Sequence, residues 1–170
     1  NNLNYIVLEK QKNLGGCWYN KAFYNTKLQT HKKYYQFKDY KINSNNDYPF
    51  CNELLKYFKE YVDINKLNNV IYNSEVLKCE FDKNNQNWNI LYKDISIKTI
   101  KSKYLAICSG LFNIPNIPFK TTEKIFHNSE LVKKDLSIFN NKNICIIGNG
   151  ASSSDVINNL ILYTKPTSIS

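Results

Sequence analysis

The residues best suited to chemistry stand late in the chain, in IIGNGASSSD (146–155). Gly148-Asn149-Gly150-Ala151-Ser152-Ser153 lies between an apolar run, KNICIIGNG (142–150), and an amphipathic stretch, ASSSDVINNLILY (151–163). Strand, glycine turn and helix, in that order, are the setting in which a dinucleotide diphosphate is held. The first glycine permits the tight turn, and the second lets a phosphate approach the backbone. The helix that follows offers free N–H groups and the positive end of its dipole. Ser153 occupies the place of the third glycine. Serine is small enough for close helix–strand packing, but it degrades the pattern. Taken alone, an ordinary strand–turn–helix competes evenly with this reading.

Two further features gain from their spacing. Glu9 closes the apolar run Tyr5-Ile6-Val7-Leu8. In a doubly wound fold, a carboxylate at the tip of the second strand accepts hydrogen bonds from an adenosine ribose. Such charge-assisted bonds contribute ~1.5–3 kcal/mol each, although a strand-ending Glu is commonplace elsewhere. Leu14-Gly15-Gly16-Cys17-Trp18 follows directly. Its glycine pair frees the backbone, and a loop packed by an aromatic would read the same way.

The elements that must position these groups are legible from periodicity. Continuous apolar runs at 5–8, 103–110 and 142–150 predict buried parallel strands. CNELLKYFKEYVDI (51–64) predicts a helix with Leu54, Leu55, Phe58, Tyr61 and Val62 on one face and Asn52 as N-cap. Runs at 69–73, 75–82, 87–93 and 95–101 predict strands, the last three an antiparallel meander. Short helices are expected near 31–36 and 129–139, and a longer one over 151–163 with Val156, Ile157, Leu160 and Ile161 on its apolar stripe. Pro115 and Pro118 exclude helix or sheet interior from LFNIPNIPF (111–119).

Composition narrows the partners. The chain has 170 residues, 42% of them hydrophobic, enough for one globular core. No apolar run is long enough to cross a bilayer and no signal-peptide core opens the chain, so a soluble, cytoplasmic protein is expected. The net charge is +9, yet every basic residue is Lys and these are scattered. Readers of base edges depend on the bidentate Arg fork, so a solvated Lys-rich surface is expected rather than a nucleic-acid footprint. Cys17, Cys51, Cys79, Cys108 and Cys145 are odd in number, without a Cys-x-x-Cys pair. They read as neither a disulfide framework nor a zinc site, and fit a reducing compartment. With only His31 and His127 besides, no metal site is expected. The chain has no Met and opens on NNLNYIVLEK, which reads as an internal piece of a longer protein.

Five stretches in order carry a resemblance: VLEKQKNLGGCW (7–18), LQTHKKYYQFKDY (28–40), AICSGLFNIPNIP (106–118), IFHNS (125–129) and ICIIGNGASSSD (144–155). Together they resemble the flavin-containing monooxygenases, most of all their plant and microbial branch, over nearly the whole chain. The resemblance implies an α/β fold of two dinucleotide-binding (Rossmann-like) domains, one for FAD and one, inserted within it, for NADPH, with an antiparallel meander. Residues 1–136 would then be a partial FAD-binding domain whose first strand and glycine turn precede Asn1, and 137–170 the start of the NADPH-binding domain.

It also implies roles. Glu9, with Lys10 beside it, would hold the FAD ribose, and Gly16, Cys17 and Trp18 would line the flavin pocket. Gln29 stands where animal members carry an Asn near the isoalloxazine, and Thr30 follows it. Val76 would meet adenine through its backbone. Cys108-Ser109-Gly110 matches the turn linking the two domains, and His127 the His of the identifying motif. Gly148, Gly150 and the segment Ser152, Ser153 to Asp155 would meet the NADPH diphosphate. No catalytic side chain is implied. NADPH would reduce the flavin, O2 would yield a flavin hydroperoxide, and one oxygen atom would pass to an amine or sulfide. Baeyer–Villiger oxygenation of a ketone, or a non-catalytic remnant, are the alternatives. One departure stands out: the glycine that normally precedes the motif His is absent from FKTTEKIFH (119–127).

Overall fold

The longest strands here are those whose pairing partner lies close in sequence. The computed structural model describes residues 4–112, 114–118, 120 and 124–164. Its elements run β1 (Val7–Leu8), α1 (Cys17–Asn20), α2 (Lys32–Tyr35), α3 (Cys51–Ile64), β2 (Val70–Ile71), β3 (Glu75–Asp82), β4 (Asn87–Lys93), β5 (Ile97–Ser102), α4 (Asn128–Leu131), a 3-10 turn at Leu136–Phe139, and α5 (Ala151–Leu160). They divide between two compact units, one drawn from residues up to Gly16 and Tyr57–Leu111, the other from Cys17–Lys56 and the residues from Phe112 onward.

In the first unit β3, β4 and β5 form the expected antiparallel meander. Alternation along β4 buries Ile90 and Tyr92 on one face, and Phe81 pairs across the ladder with Trp88, ring centroids 5.3 Å apart. Both turns are closed by acids. Asp82 accepts from the side chain and backbone of Asn85, and Asp94 accepts from Lys98 Nζ at 2.6 Å and from the Ser96 N–H. Those bonds favour the charged forms and hold both carboxyls below the usual range, led by the Asn85 side chain for Asp82 and by Lys98 for Asp94. β1 pairs in parallel with β2, Val7 opposite Val70 and Leu8 opposite Ile71.

In the second unit Phe23, Leu131, Val156 and Leu160 form a buried cluster, with Phe126, Val132, Leu136, Phe139, Ile144 and Ile146 packed around it. His127 caps α4: its ring accepts from the Ser129 N–H, while Glu130 reaches back to the His127 N–H at 3.1 Å. This capping box satisfies donors at the start of the helix.

The structure revises several expectations. The runs 103–110 and 142–150 form no strand, and Ile107 and Ile147 are 76% and 72% exposed. A parallel strand needs a partner a whole crossover away, and none among the described residues pairs with either run. β1 is shorter than expected, with Val7 43% exposed and Leu8 half-buried. Asn52 lies inside α3; the reaching-back role belongs to Glu53, whose Oε2 accepts from the Phe50 N–H at 2.8 Å. The buried stripe of α3 centres on Cys51, Leu54 and Tyr57, with Leu55, Phe58, Tyr61 and Val62 half-buried. The 129–139 helix is two short pieces, and Ile161, expected on the apolar stripe of the last helix, is 64% exposed. α1 occupies a stretch that reads as loop. Phe119, Asn1 and the terminal KPTSIS fall outside the described residues.

Candidate functional site

In the second unit, the Gly148–Ser153 turn leads into α5, without the strand expected before it. Gly148 sits at φ +112°, a conformation that favours glycine. Gly150 is the N-cap of α5, and no side chain caps the helix. A Cβ at Gly148 or at Gly150 would meet no atom within 4 Å, so the space over the turn is open. Ala151 and Ser152 are exposed, and Ser153 is buried with its hydroxyl donating to the Gly150 carbonyl at 2.6 Å. The serine in the third glycine's place thus satisfies itself internally and packs closely. An uncapped helix start with open space above it fits a diphosphate.

Asp155, further along α5, faces a different neighbour. Burial pushes its carboxyl above the ordinary carboxylate range, and the Thr26 hydroxyl pulls weakly the other way. Thr26 Oγ1 is itself buried and makes no well-formed hydrogen bond among the described residues. Asn159 ties the same helix to the same turn, its Nδ2 donating to Asn25 Oδ1 at 3.0 Å and to the Asp155 carbonyl at 2.7 Å.

Also in the second unit, Cys17 and Trp18 open α1. The exposed Cys17 thiol lies 3.9 Å from the Phe112 carbonyl. Trp18 is clamped: its indole N–H donates to Tyr35 Oη at 2.7 Å, and its carbonyl accepts from the Cys51 thiol at 3.1 Å. Burial raises the Tyr35 hydroxyl, partly offset by Trp18, and pushes the Cys51 thiol up to about 11. A cavity of about 450 Å³ opens beside this clamp, lined by Trp18, Tyr19, Phe23 and Tyr24 with Lys133 and Asn159. Gln29 and Thr30 are exposed between two tied backbone segments, with Leu28 N–H donating to Pro49 O at 2.9 Å and Lys32 N–H to Asp47 O at 2.8 Å.

In the first unit, Glu9 ends β1. One carboxylate oxygen accepts from the Gln11 N–H at 2.7 Å, which fixes the side chain at the strand tip. Lys10 Nζ meets Glu75 Oε1 at 2.7 Å, and the Ser74 N–H donates to the Glu9 carbonyl. Val76 lies on β3 opposite Tyr92, where the register shifts before Lys78. Such an irregularity leaves backbone groups outside the regular ladder. Gly16 (φ +53°) and Gly110 (φ +77°) both adopt the left-handed region in open space, and Ser109 is exposed. Within the first unit, then, Glu9, Lys10 and the start of β3 come together; within the second, Trp18 and the Gln29–Thr30 segment share the frame formed by the start of α3. Sequence reading missed Glu53, Asp47 and His31, which build that frame; the signal was Glu53 three residues after Phe50.

Comparisons with known proteins identify the family and the fold. The family described as pyridine nucleotide-disulphide oxidoreductase matches residues 1–169. The chain is 26% identical over 167 residues to the FAD-binding monooxygenase VdtE of Byssochlamys spectabilis, covering 91% of this chain and 29% of that protein. It is 24% identical over 191 residues to the thiol-specific monooxygenase of Saccharomyces cerevisiae, covering 96% of this chain and 42% of that protein. The fold is shared with OTEMO, solved in complex with FAD and NADP, at a TM-score of 0.74 and 20% identity over 94% of this chain and 33% of that one. The chain spans less than half the length of the curated relatives it matches. Its α/β architecture with an antiparallel three-stranded sheet is thus part of a dinucleotide-binding flavoprotein fold, and the chain belongs to the pyridine nucleotide-disulphide oxidoreductase family, with flavin-dependent monooxygenases among its relatives.

Proposed function

We propose that this chain forms cofactor-facing parts of an FAD- and NADPH-dependent monooxygenase that oxygenates a soft sulfur or nitrogen nucleophile. The observation that carries this is the uncapped start of α5 behind Gly148, with open space above it. The backbone N–H groups of Ala151 and Ser152 would receive the NADPH diphosphate, favoured by the dipole of α5. Glu9, its carboxylate already oriented by the Gln11 N–H, would accept from the FAD ribose hydroxyls, with the Val76 backbone beside the adenine. Trp18, locked by Tyr35, and the Gln29–Thr30 segment would border the flavin. Bound flavin supplies the oxygen-activating chemistry; the protein supplies position and exclusion of water. No side chain of this chain need act as a nucleophile. The name of the yeast relative, a thiol-specific monooxygenase, supports sulfur over a ketone.

The test uses the full flavoprotein that carries this chain, supplied with NADPH, isotope-labelled O2 and, in turn, a thiol, an amine and a cyclic ketone. One labelled oxygen on the thiol or amine is expected. Insertion into the ketone alone would move the reading to Baeyer–Villiger chemistry. NADPH left unoxidised, with no labelled product, would mark a non-catalytic relative. In parallel, Gly148→Ala is expected to raise the dissociation constant for NADPH at least tenfold, because alanine resists the φ +112° that the turn requires, and to leave the flavin spectrum unchanged.

A further inference from the structure

The Gln29–Thr30 segment is held by an arrangement no motif announces. Lys27 and Phe50 form an antiparallel bridge, and the Cys51 N–H donates to the Thr26 carbonyl at 2.8 Å. With the Leu28 and Lys32 bonds, residues 26–32 are stitched to 47–51 on both sides of Gln29 and Thr30. At the far end of the stitch stands His31. Its Nδ1 accepts from the Lys33 N–H at 3.1 Å and caps α2. In a neutral ring that contact leaves the proton on Nε2, the nitrogen 3.4 Å from Asp47 Oδ1. The rings of Tyr34 and Tyr48 meet the imidazole edge-on, with centroids 6.3 and 6.1 Å away. Asp47 is in turn held by the loop that Glu53 organises. Glu53 accepts from the Ser44 hydroxyl at 2.6 Å, the Phe50 N–H at 2.8 Å and the Asn46 side chain at 3.4 Å. Lys32 Nζ closes the frame on the Ser44 carbonyl at 2.6 Å. Each ring nitrogen of His31 therefore has an assigned partner, two tyrosine rings lie edge-on beside it, and the residues next to it are the exposed pair Gln29 and Thr30.

We infer that His31, braced by Asp47, is the positioning residue that sets the Gln29–Thr30 turn for a bound flavin. The part played by the flavin rests on the function proposed above; the bracing rests on this geometry alone. His31 acts through its neighbours and touches no reacting atom.

The experiment has two arms. In the first, nuclear magnetic resonance on the full chain without cofactor reads the His31 tautomer and the backbone amides of Gln29 and Thr30. The Nε2–H tautomer is expected. Asp47→Ala should displace both amides, whereas Asp47→Asn, whose amide oxygen still accepts from Nε2–H, should leave them close to the parent positions. The amides of α5, in the same unit as His31 and Asp47, report whether a variant has folded, and Asp47→Ala replaces His31→Ala if the latter does not fold. An Nδ1–H tautomer, or Gln29 and Thr30 amides indifferent to both substitutions, would overturn the inference. In the second arm, FAD affinity of the full flavoprotein is read by flavin fluorescence. His31→Ala is expected to weaken it at least tenfold, and Asp47→Asn by less than threefold. Unchanged affinity in His31→Ala would overturn the positioning role. Failure of the unsubstituted protein to bind FAD would instead overturn the proposed function, with the first arm still deciding the bracing.

Discussion

The meander of the first unit and the apolar run ahead of the glycine turn in the second both read as strands in the sequence, and among the described residues only the meander pairs. In β4, Ile90 and Tyr92 face inward while the backbone is laddered on both sides, to β3 and to β5. In the run, Ile144 and Ile146 pack on the Phe23–Leu131 cluster while Cys145 and Ile147 face out, which is the alternation of a strand without its ladder. The difference is one of partners. A hairpin brings its partner within a few residues, so its closure entropy is small. A parallel strand depends on a segment far away in sequence. Side-chain alternation can therefore be imposed by one-sided packing, while backbone pairing cannot.

That comparison can be broken at several levels. The largest effect should come from Ile90→Ala, which opens a cavity in a residue 4% exposed and is expected to cost about 2–5 kcal/mol by denaturant titration. Ile147→Ala, at a site 72% exposed, should stay within about 0.5 kcal/mol. Equal costs would mean that the run is packed as the meander is. Hydrogen exchange reads the backbone directly: amides of Asn89–Leu91 should exchange only with global opening, while Cys145 and Ile147 should exchange at least ~100-fold faster. Comparable protection would reveal a ladder on the run.

A smaller effect concerns α5, which the run feeds. Because burial raises the folded-state pKa of Asp155, folding favours its protonated form. That contribution is complete below the ordinary carboxylate pKa and is lost as pH rises through the raised folded value. Asp155→Asn should therefore give a small rise in Tm at neutral pH that vanishes near ~pH 4. A gain that persists in acid would place the effect elsewhere than in the ionisation of Asp155.

Much of the fold was legible where chemistry is local. The meander follows from alternation and from turn acids such as Asp82, and the helix at 51–64 from its period. The glycine turn and α5 follow from Gly148, Gly150 and the residues behind them. What was not legible depends on distant partners. Nothing near Ile107 or Ile147 tells whether a neighbouring strand exists. The choice of Cys51, Leu54 and Tyr57 as the buried stripe of α3 is made by the loops around it, through contacts such as that of Cys51 with Trp18. His31 and Asp47 are sixteen residues apart and meet only because the 44–50 loop is folded onto Glu53. Among the candidate site residues, Glu9 and the glycines stand out in the sequence by type and position, whereas the frame behind Gln29 and Thr30 does not.

Whether the start of α5 receives a dinucleotide diphosphate is decided by titrating the isotope-labelled chain with NADPH and following its backbone amides by nuclear magnetic resonance. Saturable shifts are expected, largest at Gly148 to Ser153 and retained at physiological salt. Shifts confined to the scattered lysines and abolished by salt, with the amides of Ala151 and Ser152 unmoved, would contradict binding there.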